Sequence, residues 1–251
     1  MIAVWTEQHR LHEPNGEVWV GVRIPGTDVP ERGEALRAAL DEAGIPVIEP
    51  REHGTRPVLA VHAEAMVHYL ESSYQAWVEA GYPGDPGQDR VVPYVFPHPD
   101  AVRHLPRRLP ASRAALAGVY CMDTATLIGP GTYRAARAAA DAALTAADEV
   151  LGGERAVYAA VRPPGHHAGT TFFGGSCYLN NAAIAAMWLL DHHAGPVAIV
   201  DLDAHHGNGT QQVFYEQGDV LYCSLHVDPG AGWFPHFAGF ADETGVGSGS
   251  G

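Results

Sequence analysis

One apolar run that ends in charged residues constrains the fold of this chain more than any other feature. Residues 196–200 carry no polar side chain and are followed at once by Asp201, Asp203 and His205. Alternate side chains of an extended chain point to the same face, so these three groups share one face at the end of a strand. A buried strand with its polar residues at the carboxyl end is typical of a parallel sheet in an α/β protein.

Strands and helices alternate along the rest of the chain. Apolar runs predict strands at 2–5, 47–48, 156–161, 197–202 and 220–225, and helical patterns lie at 29–44, 132–151, 181–190 and 211–216. The pattern predicts an α/β fold with an open, mostly parallel sheet flanked by helices. With 251 residues and 46% hydrophobic content, residues 1–251 suffice for one large domain.

Composition excludes several classes of function. The formal net charge of −14 argues against a general nucleic-acid binder, which needs clustered basic residues. The N-terminal residues lack the pattern of a signal peptide, and no apolar run reaches the length of a membrane span. The three cysteines, Cys121, Cys177 and Cys223, are scattered singly. We therefore expect a cytoplasmic protein with neither nucleic acid nor membrane as a partner.

The acidic strand end predicts a metal site. Two carboxylates and an imidazole are costly to desolvate together unless a cation neutralises them. Nitrogen and oxygen ligands without thiolate fit Zn²⁺ and equally Fe²⁺, Mn²⁺ or Co²⁺, and the sequence does not select among them.

A histidine pair follows the preceding strand. His166 and His167 come after Arg162-Pro163-Pro164-Gly165, where they face the same rim of the sheet. The ordinary pKa of histidine lies near neutrality, so the pair suits proton transfer. A second pair, His192-His193, ends a helix and is assigned no function.

Several motifs together resemble the histone deacetylase family, which has the arginase/deacetylase fold. They are Arg-Pro-Pro-Gly-His-His-Ala at 162–168, Cys-Tyr-Leu-Asn-Asn at 177–181 and Asp-Leu-Asp-Ala-His-His-Gly-Asn-Gly-Thr-Gln at 201–211. Within that family the chain is most similar to bacterial acetylpolyamine amidohydrolases, through residues 6–11, 234–237 and 243–245. The resemblance covers essentially the whole chain and implies a metal-dependent amidohydrolase that deacylates small amines.

The resemblance also implies roles for individual residues. Asp203 and His205 would be two of three protein ligands to a catalytic zinc. His167 would be the general base and then acid, with His166 as its electrostatic helper held by Asp201.

Further positions follow from the same resemblance. Asn208 would lie behind His167 where some relatives carry Asp. A structural potassium ion is implied at Asp201, Asp203, His205, Ser224 and Leu225.

The substrate channel departs from the family pattern. Gly175, Ser176 and Phe234 would contact the substrate, and Ser176 stands where relatives place an aromatic wall, which implies a wider and more polar channel. Polyamine-specific relatives carry glutamates in a loop before Tyr120 and at a second place. Here those positions read Ala-Ala-Leu at 114–116 and Ala125, and a surface loop adds Arg103, Arg107 and Arg108. These departures weaken the expectation of a polyamine substrate.

The family's last metal ligand, an Asp, and its oxyanion-stabilising Tyr would both lie beyond Gly251. We therefore expect residues 1–251 to correspond to about the N-terminal two thirds of the family fold and to be nearly inactive as they stand. Two alternatives remain: a truncated, non-catalytic fragment or binding module, and an arginase-like ureohydrolase. Relatives of the polyamine type pair through long loops, which makes a homodimer the candidate assembly.

Overall fold

The computed structural model describes residues 1–106 and 108–250 and contains two parallel sheets. In the first, β1 (Ile2–Val4) lies between β4 (Val47–Ile48) and β5 (Val157–Ala159). In the second, β6 (Val197–Asp201) pairs with β7 (Val220–Ser224). A short antiparallel hairpin, β2 (Glu17–Trp19) and β3 (Val22–Ile24), stands apart from both. The predicted α/β fold with parallel strands and flanking helices is confirmed.

Eight α-helices complete the described part of the chain. They are α1 (Pro30–Glu42), α2 (Arg56–Leu59), α3 (Glu64–Glu79), α4 (Pro99–Val102), α5 (Arg113–Tyr120), α6 (Thr132–Leu151), α7 (Asn181–Asp191) and α8 (Asn208–Phe214). Three short 3₁₀ segments lie at Glu7–Leu11, Pro229–Ala231 and Gly247–Gly249.

Small side chains let the longest helix pack closely at the centre of the molecule. Alanines of α6 are almost wholly buried, among them Ala135, Ala139 and Ala140, and the helix makes its most extensive contacts with α7. Alanine is also the strongest helix former, so the same residues favour both the helix and its close approach. The main core, which includes Phe173 and Tyr178, places a rigid layer beneath the loops that carry the candidate site.

Several sequence expectations need correction at their boundaries. The strand expected at 156–161 extends only over Val157–Ala159, and the helical turn expected at 211–216 begins earlier, at Asn208, and ends at Phe214. The segment 114–116 was expected in a loop, but it lies inside α5 with Ala114 buried. Helix α3 and the β2–β3 hairpin were not predicted.

The expected single sheet is interrupted. Among the described residues β5 and β6 are not joined, either directly or through another strand. A groove of about 560 Å³ lies between them, and small apolar residues of α6 and α7 contribute to its lining. One face of the second sheet is exposed and apolar: Val200, Leu202, Leu221 and Leu225 are 62–73% exposed. Parallel sheets are ordinarily covered on both faces, so this face is open to further packing.

No helix within 1–106 and 108–250 is both long and apolar enough to cross a membrane.

Candidate active site

The turn at the end of the second sheet brings the carboxylate of Asp203 close to the imidazole of His205. β6 ends at Asp201, and the turn beyond it carries Asp203 and His205. Asp203 accepts the backbone N–H of His205 at 2.8 Å, and its Oδ1 lies 3.1 Å from His205 Nδ1. Asp203 donates its own backbone N–H to Asp201 Oδ1 at 3.1 Å. These backbone bonds hold the turn so that both side chains face the same space.

The Asp203 and His205 donors have a spacing that suits a metal ion. Asp203 Oδ1 and His205 Nδ1 lie at hydrogen-bond distance, 3.1 Å, and a tetrahedral zinc with ordinary Zn–N and Zn–O bonds would place two ligands at a similar separation of about 3.4 Å. Burial opposes ionisation of Asp203, but hydrogen bonds from His205 outweigh it and lower the pKa of the carboxyl, which favours the ligating form. Within the described part of the chain no group of three His, Cys, Asp or Glu comes together to hold an ion. The residues therefore fit two positions of such a site.

His166 is bound to the last residue of β6. Its Nδ1–H donates to Asp201 Oδ2 at 2.9 Å. Burial raises the cost of charging Asp201, yet the hydrogen bond and charge of His166 prevail and lower the pKa of the carboxyl. Asp201 therefore remains ionised beside the imidazole, as an electrostatic partner must.

His167 has a different partner. Its Nδ1–H donates to the amide oxygen of Asn208 at 2.7 Å, while the Asn208 amide nitrogen faces Met122 Sδ at 3.6 Å. With Nδ1 protonated, Nε2 is the free acceptor of the ring. Burial and the neighbouring His166 ring, whose centroid lies 4.0 Å away, lower the pKa of His167 to about 3. The neutral imidazole is thus the resting form.

Aromatic rings lie against His167 and His205. Phe234 meets the His167 ring edge-on at 4.7 Å between centroids, and Trp233 lies 5.3 Å from the ring of His205. All four residues line one cleft of about 730 Å³, with Gly175 and Ser176 on its wall. Ser176, which stands where relatives were expected to carry an aromatic wall residue, thus lines the cleft. Two aromatic side chains from residues 228–239, Trp233 and Phe234, line it as well.

The turn at 175–176 has positive φ at both residues, and position 175 requires glycine. Gly175 has φ +55°, and a Cβ there would lie 2.2 Å from the His167 ring. Ser176 also has positive φ, at 62°. Its backbone N–H donates to Thr126 at 2.9 Å, and that of Gly175 donates to Asp123 at 2.6 Å. The strained backbone is held by residues about fifty positions away, and it lets the chain approach the base closely.

Three of the five residues expected to hold potassium, Asp201, Ser224 and Leu225, meet across the β6–β7 pair. Asp201 lies in register with Ser224, and Leu225 donates its N–H to the Asp201 carbonyl at 3.0 Å. The Ser224 hydroxyl is 2.8 Å from His226 Nδ1, and the His226 Nε2 lies 2.9 Å from the Gly239 carbonyl. A carbonyl only accepts, so His226 Nε2 is the donor to Gly239. Oxygen donors such as those of Asp201 and Ser224 suit a hard cation.

The positions at which relatives were expected to bind the distant ammonium of a polyamine lie apart in the structure. Ala125 lines the cleft, whereas Ala114 is buried in α5. Arg103 and Arg108 line a different cavity, and Arg107 lies outside the described residues. The expectation that arginine charge bears on the substrate therefore gains no support from Arg103 and Arg108.

Three residues of the site were not predicted. Tyr222 donates its hydroxyl to Asp201, Asp123 orders the turn at Gly175, and Trp233 covers His205. Tyr222 could have been found, because it precedes Ser224 by two residues on the same strand and so shares its face. Asp123 gives no local signal, because its partner is distant in sequence.

The fold and this constellation of His, Asp and Asn at the carboxyl end of a parallel sheet define a class of hydrolase. The histone deacetylase domain matches residues 27–251, and the chain belongs to that family. It is 43% identical to the acetylpolyamine amidohydrolase of Mycoplana ramosa and 40% identical to acetylpolyamine amidohydrolase 1 of Pseudomonas aeruginosa. These alignments cover the whole of this chain and 71% and 70% of the relatives. The crystal structure of an acetylpolyamine aminohydrolase from Burkholderia pseudomallei superposes with a TM-score of 0.90 at 39% identity, over all of this chain and 70% of that one.

Proposed function

We propose that residues 1–251 form a single deacetylase-like catalytic domain whose site cleaves the amide of small N-acyl amines, such as acetylpolyamines or acetyl-lysine-like groups. The proposal rests on one observation: the candidate metal ligands and the candidate general base line the same cleft. The candidate ligands Asp203 and His205 lie 3.1 Å apart, and the His205 ring lies 6.1 Å from the His167 ring. Family membership and the similarity to amidohydrolases support the same reaction class.

Asp203 Oδ1 and His205 Nδ1 would hold a divalent cation, for which Zn²⁺ is the proposed species and Fe²⁺, Mn²⁺ and Co²⁺ are alternatives. When bound, such a cation polarises an amide carbonyl and a water molecule. K⁺ is the proposed ion beside Ser224 and Leu225.

His167 would carry the proton transfers. Asn208 holds Nδ1–H at 2.7 Å, so Nε2 receives the proton of the attacking water and later returns it to the nitrogen of the leaving amine. Between these transfers the water oxygen bonds to the acyl carbon and the C–N bond breaks, which yields a carboxylate and a free amine. An amide partner stabilises the resulting imidazolium less than a carboxylate would, so Asn208 keeps His167 a weaker base.

His166 would contribute charge and position instead of a net proton transfer. Its bond to Asp201 fixes the ring 4.0 Å from that of His167. Phe234 and Trp233 exclude water on one side of the cleft, and Ser176 leaves another side more polar. The cleft thus suits acyl amines wider than a linear polyamine.

The test measures divalent-metal stoichiometry and affinity for the unaltered chain, Asp203→Ala and His205→Ala, with His192→Ala as the control. His192 is exposed at the C-terminal end of α7 and does not line the cleft. We expect binding in the unaltered chain and control, and loss of it in both ligand variants. Equal stoichiometry in all four proteins refutes the site. A panel of acyl-lysine and acyl-polyamine substrates then tests hydrolysis.

A second candidate function is a non-catalytic binding module. One observation favours it: the described residues offer two donors at the site, whereas catalytic zinc ordinarily has three protein ligands. This candidate predicts that an N-acyl amine binds the cleft without being cleaved, which calorimetry together with the substrate panel distinguishes from hydrolysis.

A further inference from the structure

The hydroxyl of Tyr222 meets the same carboxylate oxygen that holds His166. Tyr222 Oη lies 3.0 Å from Asp201 Oδ2, and His166 Nδ1 lies 2.9 Å from that atom. A tyrosine hydroxyl is protonated at neutral pH and donates to the carboxylate. Oδ2 therefore accepts two side-chain hydrogen bonds, while Oδ1 accepts the backbone N–H of Asp203 at 3.1 Å.

The register of the second sheet explains this contact. Tyr222 pairs with Ile199 and Ser224 pairs with Asp201, and Tyr222 and Ser224 project from the same face of β7. The long phenol side chain spans the distance of two residues and reaches the carboxylate at the end of β6. A serine or threonine at position 222 would be too short to do so.

A glycine makes room for the three groups. A Cβ on Gly207 would lie 2.4 Å from Tyr222 Oη, 2.5 Å from Asp201 Oδ2 and 3.1 Å from His166 Nδ1. Position 207 therefore lies directly over the shared hydrogen bonds, and any larger residue would have to displace at least one member. The φ of Gly207 is −79°, so space and not backbone conformation demands the glycine.

We propose that Tyr222 is a positioning residue of the site: it fixes the side-chain rotamer of Asp201 and shares Oδ2 with His166. The importance of His166 rests on the proposed function, but the shared oxygen is independent of it. An oxygen that accepts two hydrogen bonds offers less electron density to each donor. The His166–Asp201 hydrogen bond is therefore weaker with Tyr222 than without it. Tyr222 would thus limit how strongly Asp201 holds the helper imidazole.

The test observes the His166 Nδ1–H proton directly in the 251-residue chain labelled with ¹⁵N-histidine. His166→Gln identifies the resonance by its loss. In Tyr222→Phe, which removes only the hydroxyl, we expect the resonance to move to lower field because the remaining bond to Oδ2 strengthens. Tyr158→Phe is the matched control, because Tyr158 lies on β5 and is 41% exposed.

A lower-field shift in Tyr222→Phe, beyond the change in Tyr158→Phe, supports the proposal. Loss of the resonance by exchange with water, with the other imidazole signals retained, contradicts it, since the His166–Asp201 bond has then weakened instead of strengthened. A resonance that moves no more than in the control overturns it. Should Tyr222→Phe not fold, the same resonance is followed in the unaltered chain labelled with 3-fluorotyrosine: the more acidic phenol is a stronger donor to Oδ2, so the resonance should move to higher field, and an unmoved signal overturns the proposal. Metal titration of the unaltered chain, Asp203→Ala and His205→Ala tests the proposed function separately from this result.

Discussion

Acidification should destabilise this domain partly by charging one buried histidine, His62. Its Nδ1–H donates to the Gly169 carbonyl at 2.8 Å, and its Nε2 accepts the Asn180 N–H at 2.8 Å. These two bonds join the ends of the segment that carries the turn at Gly175. Protonated His62 has no acceptor for Asn180, so charging the ring breaks one of the bonds and leaves a buried donor unpaired.

The magnitude follows from the pKa of His62, which burial lowers from 6.5 to about 4, against a smaller opposing effect of the bond to Gly169. Because the folded-state pKa is the lower one, the unfolded chain binds the proton first as the pH falls. The stabilisation is complete above pH 6.5 and is lost progressively toward pH 4. The difference between the two pKa values corresponds to roughly 3 kcal/mol, with a slope of about 1.4 kcal/mol per pH unit.

Urea unfolding between pH 4.5 and 7.5 tests this for the unaltered chain and His62→Gln. Glutamine offers an amide oxygen to Asn180 and does not titrate, and loss of the ring's bond to Gly169 should cost roughly 1–3 kcal/mol at pH 7. The free energy of unfolding of the variant should fall less steeply below pH 6.5, by about 1.4 kcal/mol per pH unit. His192→Gln, at an exposed site, should retain the original slope. Parallel pH curves for His62→Gln and the unaltered chain would refute the reasoning.

Four further outcomes are expected. Asp203→Ala and His205→Ala should each abolish tight divalent-metal binding, which metal analysis after dialysis measures, because each removes one of two donors. In a form that turns over, His167→Ala should lower kcat by roughly 10² to 10⁴-fold and His166→Ala by much less, and equal losses at unchanged metal content would contradict the division of roles. Acetylated spermidine or putrescine should not be the best substrate, because the positions at which the resemblance implies glutamates in polyamine-specific relatives hold Ala-Ala-Leu at 114–116 and Ala125; a preference of about tenfold in kcat/KM over neutral acyl amines would contradict this. With two donors and no established oxyanion donor, residues 1–251 should hydrolyse amides at least about 10²-fold more slowly than a longer form, and comparable turnover of the two would disprove it.

The sequence identified the elements that carry strong local patterns. The apolar run of β6, the alanine-rich α6 and the strand–helix alternation were all predictable, because burial imposes a regular spacing on apolar residues. Helix α3 was missed although Met66, Val67, Leu70 and Trp77 recur at helical spacing and are buried. That error lies in the interpretation of the pattern and not in the sequence.

The β2–β3 hairpin could not be predicted in the same way. Every residue of β3 is exposed, so no burial pattern marks it, and its turn places Val20 at a φ of 50°. A β-branched residue with positive φ contradicts the ordinary turn preferences. The Ser176 turn is similar, because the contacts of Asp123 and Thr126 that hold it are non-local.

At the candidate site the sequence identified the chemical groups but not their pairing. The proximity of Asp203 to His205 follows from their spacing, whereas the contact of Tyr222 with Asp201 depends on the register of β6 against β7. Register is a tertiary property, and a slip by one residue would turn Tyr222 to the other face.

All three oxygen atoms of Asp201 accept hydrogen bonds. Oδ1 accepts from Asp203, Oδ2 from His166 and Tyr222, and the backbone carbonyl from Leu225. A genetic screen would therefore report this position as uniformly intolerant, and the phenotype of any substitution would be pleiotropic. Asparagine would replace one oxygen by a donor, and glutamate would move both oxygens away from the strand end. Only changes at the partners, made one at a time, can separate the contributions that converge on this residue.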